Sequence, residues 1–382
     1  KWTEKAKKAV FSIITYDKDN KIKATGNGFY INEDGTALSD YTLFEGAERA
    51  VIITADGKES PVESISGVNS VYDVIKFRTP IEKKQQTLQI ATQPAKVGEI
   101  VYLLPYSTQK SSTCPTGKIT SVDSIGNHSF YYTLEMKTND KTVSCPIMNT
   151  NGEVIGMIQK SVSDDEKESY AIGASYGAAL NITALSTNDR ALQTIGIKKV
   201  LPDTEEQALV YLFMAASNMT AEEYQKTLNA FIEQYPNSYD GYIRRATLYM
   251  SSGDSTQYTL AEEDLNKAIE VAANKAEARH SVAKNIHSYM LSLNGKEPFE
   301  AWNYDKALDI IRQAIQEEAL PIYIQLEGDI LFAQQKYEEA YKSYEKVNQS
   351  EMASPATFYS AAKTKQLIEG ADFNEAIALM DS

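Results

Sequence analysis

Over residues 1 to about 200 the chain alternates short apolar runs with polar breaks. From Ala9 onward the runs AVFSIITYD, GNGFYI, ALSDYTLF, RAVIITA, VYDVIKF, EIVYLLPY, GKITSVDSI and FYYTLEM are rich in β-branched and aromatic residues, with Gly, Asn and Asp between them. Such runs predict strands, and many short strands separated by turn residues predict an all-β barrel or sandwich. The densest signal is KTVSCPIMNTNGEVIGMIQ, from Lys141 to Gln159. Here the apolar stretches 143–148 and 154–159 flank Asn149-Thr150-Asn151-Gly152. Asn-Gly between apolar flanks predicts a hairpin, because glycine accepts the positive φ of a tight turn.

Past Gly196 to Pro202 the apolar period changes from 2 to 3.6 and stays there, which predicts helices. Asp203 or Thr204 is a suitable N-cap, with Glu205 and Glu206 placed to complement the helix dipole. A chain of 382 residues exceeds one ordinary domain. The change of period divides it into residues 1–197 and 203–382. In the second part, small and aromatic residues recur at spacings of three and four on successive helices. They are Tyr224, Leu228, Phe231 and Pro236; Ala261, Leu265 and Ala268; Ala307, Ile311 and Ala314; Ala340, Tyr344 and Val347; Ala376 and Met380. Partner helices are predicted near residues 242–249, 280–291 and 358–367, with longer loops around 252–259 and 294–302. Paired helices that recur down a chain predict a stacked solenoid.

Charge separates the same two parts. Residues 1–200 carry 23 basic and 23 acidic side chains, and residues 201–382 carry 15 and 29, so the second part holds the whole net charge of −14. An acidic half repels phosphate backbones, which argues against nucleic acid as a partner. No apolar run approaches the roughly 20 residues of a membrane span. The two cysteines, Cys114 and Cys145, form no CxxC pair, and the three histidines are scattered, so neither a metal set nor a cofactor motif is read. The chain starts at Lys1, consistent with removal of an N-terminal piece such as a signal peptide.

The Lys141–Gln159 stretch resembles the nucleophile segment of trypsin-like serine proteases of the bacterial, HtrA-like branch, whose pattern reads G-N-S-G-G-P, two apolar residues, a turn, then G-E-V-I-G. Three further blocks in family order strengthen the resemblance: TGNGFYINEDGTALSDYTLFEGA, VYDVIKF and KVGEIVYLLPY. It implies a double β-barrel in which the family's histidine falls on Thr42, its aspartate on Asp73 and its serine on Val143. A threonine is no base near neutral pH and a valine has no nucleophile, so only the orienting carboxylate remains. The oxyanion position that needs a flexible glycine is Lys141, followed by Thr142. A displaced site using Ser144 is the alternative, but no base for it is evident in the sequence. The resemblance also places the strands of Cys114 and Cys145 side by side, implying a disulfide in an exported, periplasmic or cell-surface protein; two thiols in a cytoplasmic one remain the other reading.

The unit PIYIQLEGDILFAQQKYEEAYKSYEKVNQSEMAS resembles a tetratricopeptide repeat, with Gly328 at the helix contact. The resemblance implies a peptide-binding groove on the first helices, at Ile243 and Thr247 in one copy and Gln325 and Asp329 in another. The expectation is therefore a non-catalytic trypsin-like double barrel followed by an all-α, tetratricopeptide-like solenoid, acting as a polypeptide-binding or scaffolding module. A serine hydrolase using Ser144 is the competing function.

Overall fold

The computed structural model describes residues 2–109, 113–161, 167–368 and 373–380. It divides into two compact units, Lys1–Asn218 and Met219–Ser382. The first contains helix α1 (Trp2–Ala6), then strands β1 (Val10–Tyr16), β2 (Ile22–Tyr30), β3 (Thr36–Ser39), helix α2 (Tyr41–Phe44), β4 (Arg49–Ile53), β5 (Glu59–Pro61), β6 (Ser64–Asn69) and β7 (Val74–Arg78). These strands form one antiparallel sheet in the order β5-β4-β1-β2-β3-β7-β6. Only Val62 and Glu63 separate β5 from β6, and their amides bond to Ala50 on β4 and Arg78 on β7, both at 2.9 Å. The two ends of the sheet are thus one bent strand, and the sheet curls onto itself around Phe11, Ile13, Phe44, Ile52, Ile65 and Phe77, all fully buried.

The second sheet closes outright. Strands β8 (Ile100–Leu103), β9 (Thr116–Ile125), β10 (Ser129–Glu135), β11 (Pro146–Met148), β12 (Val154–Ile158) and β13 (Glu168–Gly173) form a barrel in the order β10-β13-β12-β11-β8-β9. Alternation explains both of its faces. Tyr132, Leu134, Ala171 and Ile158 fill the interior, whereas Met148, Val154, Met157 and Ile172 pack outward with Phe29, Leu38 and Val74 of the first sheet. The Asn-Gly turn forms as the sequence predicts: Gly152 takes φ 80°, and Asn149 Oδ1 accepts from the amides of Asn151 and Glu153 at 3.0 and 2.9 Å. The expected strand 143–148 is shorter, beginning at Pro146. Residues 140–142 coil into a 3₁₀ turn capped by Asn139, a local side-chain bond that competes with strand pairing.

Two short helices, α3 (Ala174–Ala179) and α4 (Arg190–Gln193), lead to a strap along the first sheet. Gly46 N bonds to Thr194 O, Gly196 N to Ala47 O, Ile65 N to Lys198 O and Val200 N to Ile65 O, at 2.7–3.0 Å. Helix α5 (Glu205–Ala215), capped by Thr204, also belongs to the first compact unit, so the division falls after Asn218, later than the expected one between residues 197 and 203.

The second unit is helical: α6 (Ala221–Gln234), α7 (Tyr239–Ser251), α8 (Ser255–Val271), α9 (Lys275–Ser292), α10 (Tyr304–Glu317), α11 (Pro321–Ala333), α12 (Tyr337–Asn348), α13 (Pro355–Leu367) and α14 (Phe373–Met380). Successive helices pack as pairs, α7 with α8, α9 with α10, α11 with α12 and α13 with α14. The loop expected around 252–259 is short, because Asp254 caps α8 from Ser255; that around 294–302 is long and carries Trp302. Trp302 is fully buried among the rings of Tyr258, Tyr289 and Phe299 and donates its indole N–H to Glu262 at 2.7 Å. Gly328 lets α11 approach α12, since a Cβ there would lie 2.7 Å from the Tyr344 ring. Arg245 and Asp264 form a two-pronged ion pair, both bonds 2.8 Å.

Candidate functional site

Helix α2 exists because Asp40 caps it: Asp40 Oδ2 accepts from Leu43 N at 3.0 Å. That cap places Thr42 beside the β6–β7 turn, where Asp73 sits in the left-handed region at φ 52°. Thr42 donates both its amide and its hydroxyl to Asp73 Oδ1, at 2.7 and 2.9 Å. The positions that the resemblance gives to histidine and aspartate are therefore brought together, with the threonine hydroxyl where a base would be needed.

Across from them lies the loop after the Asn139-capped turn. Lys141 N bonds to Asn139 Oδ1 at 2.9 Å, so the amide at the family's glycine position is occupied within the loop. The amides of Ser144 and Cys145 are occupied too, by Ile158 O at 2.8 Å and Thr142 O at 3.1 Å. An oxyanion site needs such donors converging on one open point. Val143 is half-buried, and the carbonyls of Lys141 and Val143 both accept from Asn27 Nδ2 of β2, at 2.8 and 3.0 Å.

Ser144 is fully buried, at φ 66°, and donates its hydroxyl to Asp40 Oδ1 at 2.6 Å. Asp40 is the residue that sequence reasoning missed: it lies 104 positions from Ser144, and in the sequence it reads only as a helix cap. Burial pushes its carboxyl up; the Ser144 bond opposes this, and the charge of Asp73 pushes it up further. A hydroxyl beside a carboxylate of raised pKa has the composition of a nucleophile and base, and here that hydroxyl is enclosed, at 0% exposure. A cavity of about 60 Å³ lies elsewhere, among Ile90, Gln93, His128, Tyr132 and Ser175. It has room for about two waters, and none of the three triad positions lines it.

Directly after β12, Gln159 reaches from the second barrel to the first. Its Nε2 donates to the Tyr72 carbonyl, and its Oε1 accepts from the Tyr131 hydroxyl at 2.9 Å. Half-buried tyrosines flank it. Tyr72 meets Tyr176 edge-on at 5.1 Å, and Tyr131 lies over Tyr170 at 6.4 Å.

The expected disulfide is absent, and both thiols are free. The reason is strand order: β8 runs between β9, which Cys114 precedes, and β11, which Cys145 precedes. Two strand spacings of about 4.8 Å separate those lines, beyond the roughly 7 Å that a cystine spans between Cα atoms. Burial pushes the Cys145 thiol up to about 12. Cys114 is half-buried and also raised by burial, with Lys7 opposing.

In the helical unit, Ile243 and Thr247 share one turn of α7, and Thr247 Oγ1 lies 2.7 Å from Asn285 Oδ1 of α9. Gln325 and Asp329 share a turn of α11, and Asp329 Oδ1 accepts from Tyr344 at 2.6 Å and from Gln325 at 3.3 Å. That carboxylate is held within the unit, and burial raises its pKa.

Residues 26–157 match the family model of the trypsin-like peptidase domain. Over those residues the two sheets are similar to a trypsin-like peptidase domain. The match takes in Thr42, Asp73, Val143 and Ser144 and leaves the helical unit outside. A protein of Halomonas elongata described as a probable periplasmic serine endoprotease, DegP-like, is 25% identical over 140 residues, 35% of this chain and 29% of that relative. The chain thus spans under a third of the relative's length.

Proposed function

We propose that this protein is a non-catalytic trypsin-like module that binds extended polypeptide, joined to a tetratricopeptide-like helical scaffold. The observation that carries the reading is the set of bonds at the family's catalytic positions. Thr42 is tied to Asp73, the Lys141 amide to Asn139, and the neighbouring hydroxyl, Ser144, is buried against Asp40. Replacing base and nucleophile removes the proton relay, and losses of this kind lower turnover by several powers of ten. Strand addition uses backbone groups and survives loss of the triad. The paired helices, with Gly328 at a close contact, support the repeat reading, in which Ile243, Thr247, Gln325 and Asp329 lie along a second polypeptide-binding face. The periplasmic description of the DegP-like relative supports export.

The test is direct. The purified chain is expected to leave casein and peptide esters intact, to resist labelling by a fluorophosphonate serine probe, and to retain a reduced, carboxymethylated unfolded polypeptide in anisotropy titrations. Turnover lost on Ser144→Ala would replace this reading with the hydrolase one.

A further inference from the structure

Three side-chain ties cross between the barrels around Val143. Asn27 of β2 holds the carbonyls of Lys141 and Val143, Ser144 holds Asp40, and Gln159 joins the Tyr72 carbonyl to the Tyr131 hydroxyl. The joined segments are strained. Ser144 and Asp73, next to Tyr72, are non-glycine residues at positive φ, a conformation kept only when surrounding bonds impose it. Asp40 adds an enclosed carboxylate facing the charge of Asp73. Strain and like charge held together by a few bonds describe a closure stable only while those bonds last.

Gln159 differs from the other ties in its chemistry. Its carboxamide has the donor and acceptor of a peptide group, and it uses them on a backbone carbonyl of one barrel and a hydroxyl of the other. Its own main chain stays fixed, with its amide on Tyr170 O at 2.8 Å. The side chain can therefore leave without unpicking β12 from β13, and a peptide unit of an entering chain can take over both bonds. The tyrosine pairs on either side supply amphipathic walls for that chain.

We propose that the ties form a clasp closing the cleft between the barrels, and that Gln159 is its gate, mimicking one peptide unit of the extended polypeptide that displaces it. This rests on the polypeptide-binding reading above. The full chain, as wild type, Gln159→Ala, Gln159→Glu and Tyr131→Phe, is titrated against a fluorescein-labelled, reduced and carboxymethylated polypeptide, with thermal melts to establish folding. Ala removes the carboxamide; Glu keeps the volume but cannot donate to the Tyr72 carbonyl. Both are expected to bind on the order of tenfold more tightly than wild type, the worth of about one hydrogen bond of closure. Tyr131→Phe, which retains the ring, is expected to give a smaller gain and decides the matter if the Gln159 variants fail to fold. Folded variants that bind no more tightly than wild type overturn the gate and leave polypeptide binding standing. If no form binds, both fall together.

Discussion

Replacing Ser144 by alanine tests the geometry of the site most sharply. The hydroxyl donates to an enclosed carboxylate at 2.6 Å, and the carboxyl's other oxygen already serves the Leu43 amide. A hydrogen bond to a charged group contributes about 1.5–3 kcal/mol, and a methyl in its place removes the hydroxyl that offsets the burial of the Asp40 carboxyl and the nearby charge of Asp73. A loss of about 2 kcal/mol in a unit of this size lowers its melting temperature by about 4–8 °C. The pH dependence carries a sign. Because burial raises the Asp40 pKa, the fold holds that proton more tightly than the unfolded chain does. Asp40's contribution to stability is therefore full below its unfolded pKa, about 3.9, and is lost as pH rises through the folded value. Ser144 stabilises the ionised form, so the cost of removing it is greatest at pH 8 and shrinks on acidification. Calorimetry of the full chain and Ser144→Ala at pH 8 and pH 5 measures both. A shift below about 1 °C at pH 8, or a larger loss at pH 5 than at pH 8, would refute the assignment of that bond.

Gly328→Val is expected to destabilise the helical unit by about 1–3 kcal/mol in urea titrations, since the new side chain meets the Tyr344 ring that holds Asp329. Arg245→Met strands the buried Asp264 carboxylate, only 8% exposed, and is expected to lose about 3 kcal/mol by the same measurement; a neutral result would mean that Asp264 finds another partner. Thiol titration with Ellman's reagent is expected to count both cysteines in denaturant without prior reduction. In the native protein at pH 8, Cys145 stays unreactive, its thiol being pushed up to about 12.

The sequence carried the architecture because architecture is periodic. Alternation over the first 160 residues or so and the 3.6 period after Pro202 are summed over many positions, and the Asn149–Gly152 turn is local chemistry that needs nothing distant. The site was less legible because its bonds are nonlocal. Thr42 and Asp73 are visible as family positions, but that Ser144 faces Asp40, or that Asn27 reaches residues 141 and 143, follows from how the two barrels meet. Residues 143–145 carry an apolar strand pattern, yet Asn139 caps a turn just before them, and one local bond outweighs a three-residue alternation. The cystine failed for a related reason, since alternation gives strands but not their order, and β8 intervenes.

The strap from Thr194 to Val200 gives the first barrel a mechanical property. Its parallel bridge to β6 is made through one residue, Ile65, whose amide and carbonyl are both bonded, so tension along the strand axis loads the two bonds together. Four residues past Ile65, β6 ends at Asn69, whose Oδ1 anchors the Tyr72 amide in the turn that also bears Asp73. The strap and the turn that holds the Thr42–Asp73 pair are thus joined through one short strand.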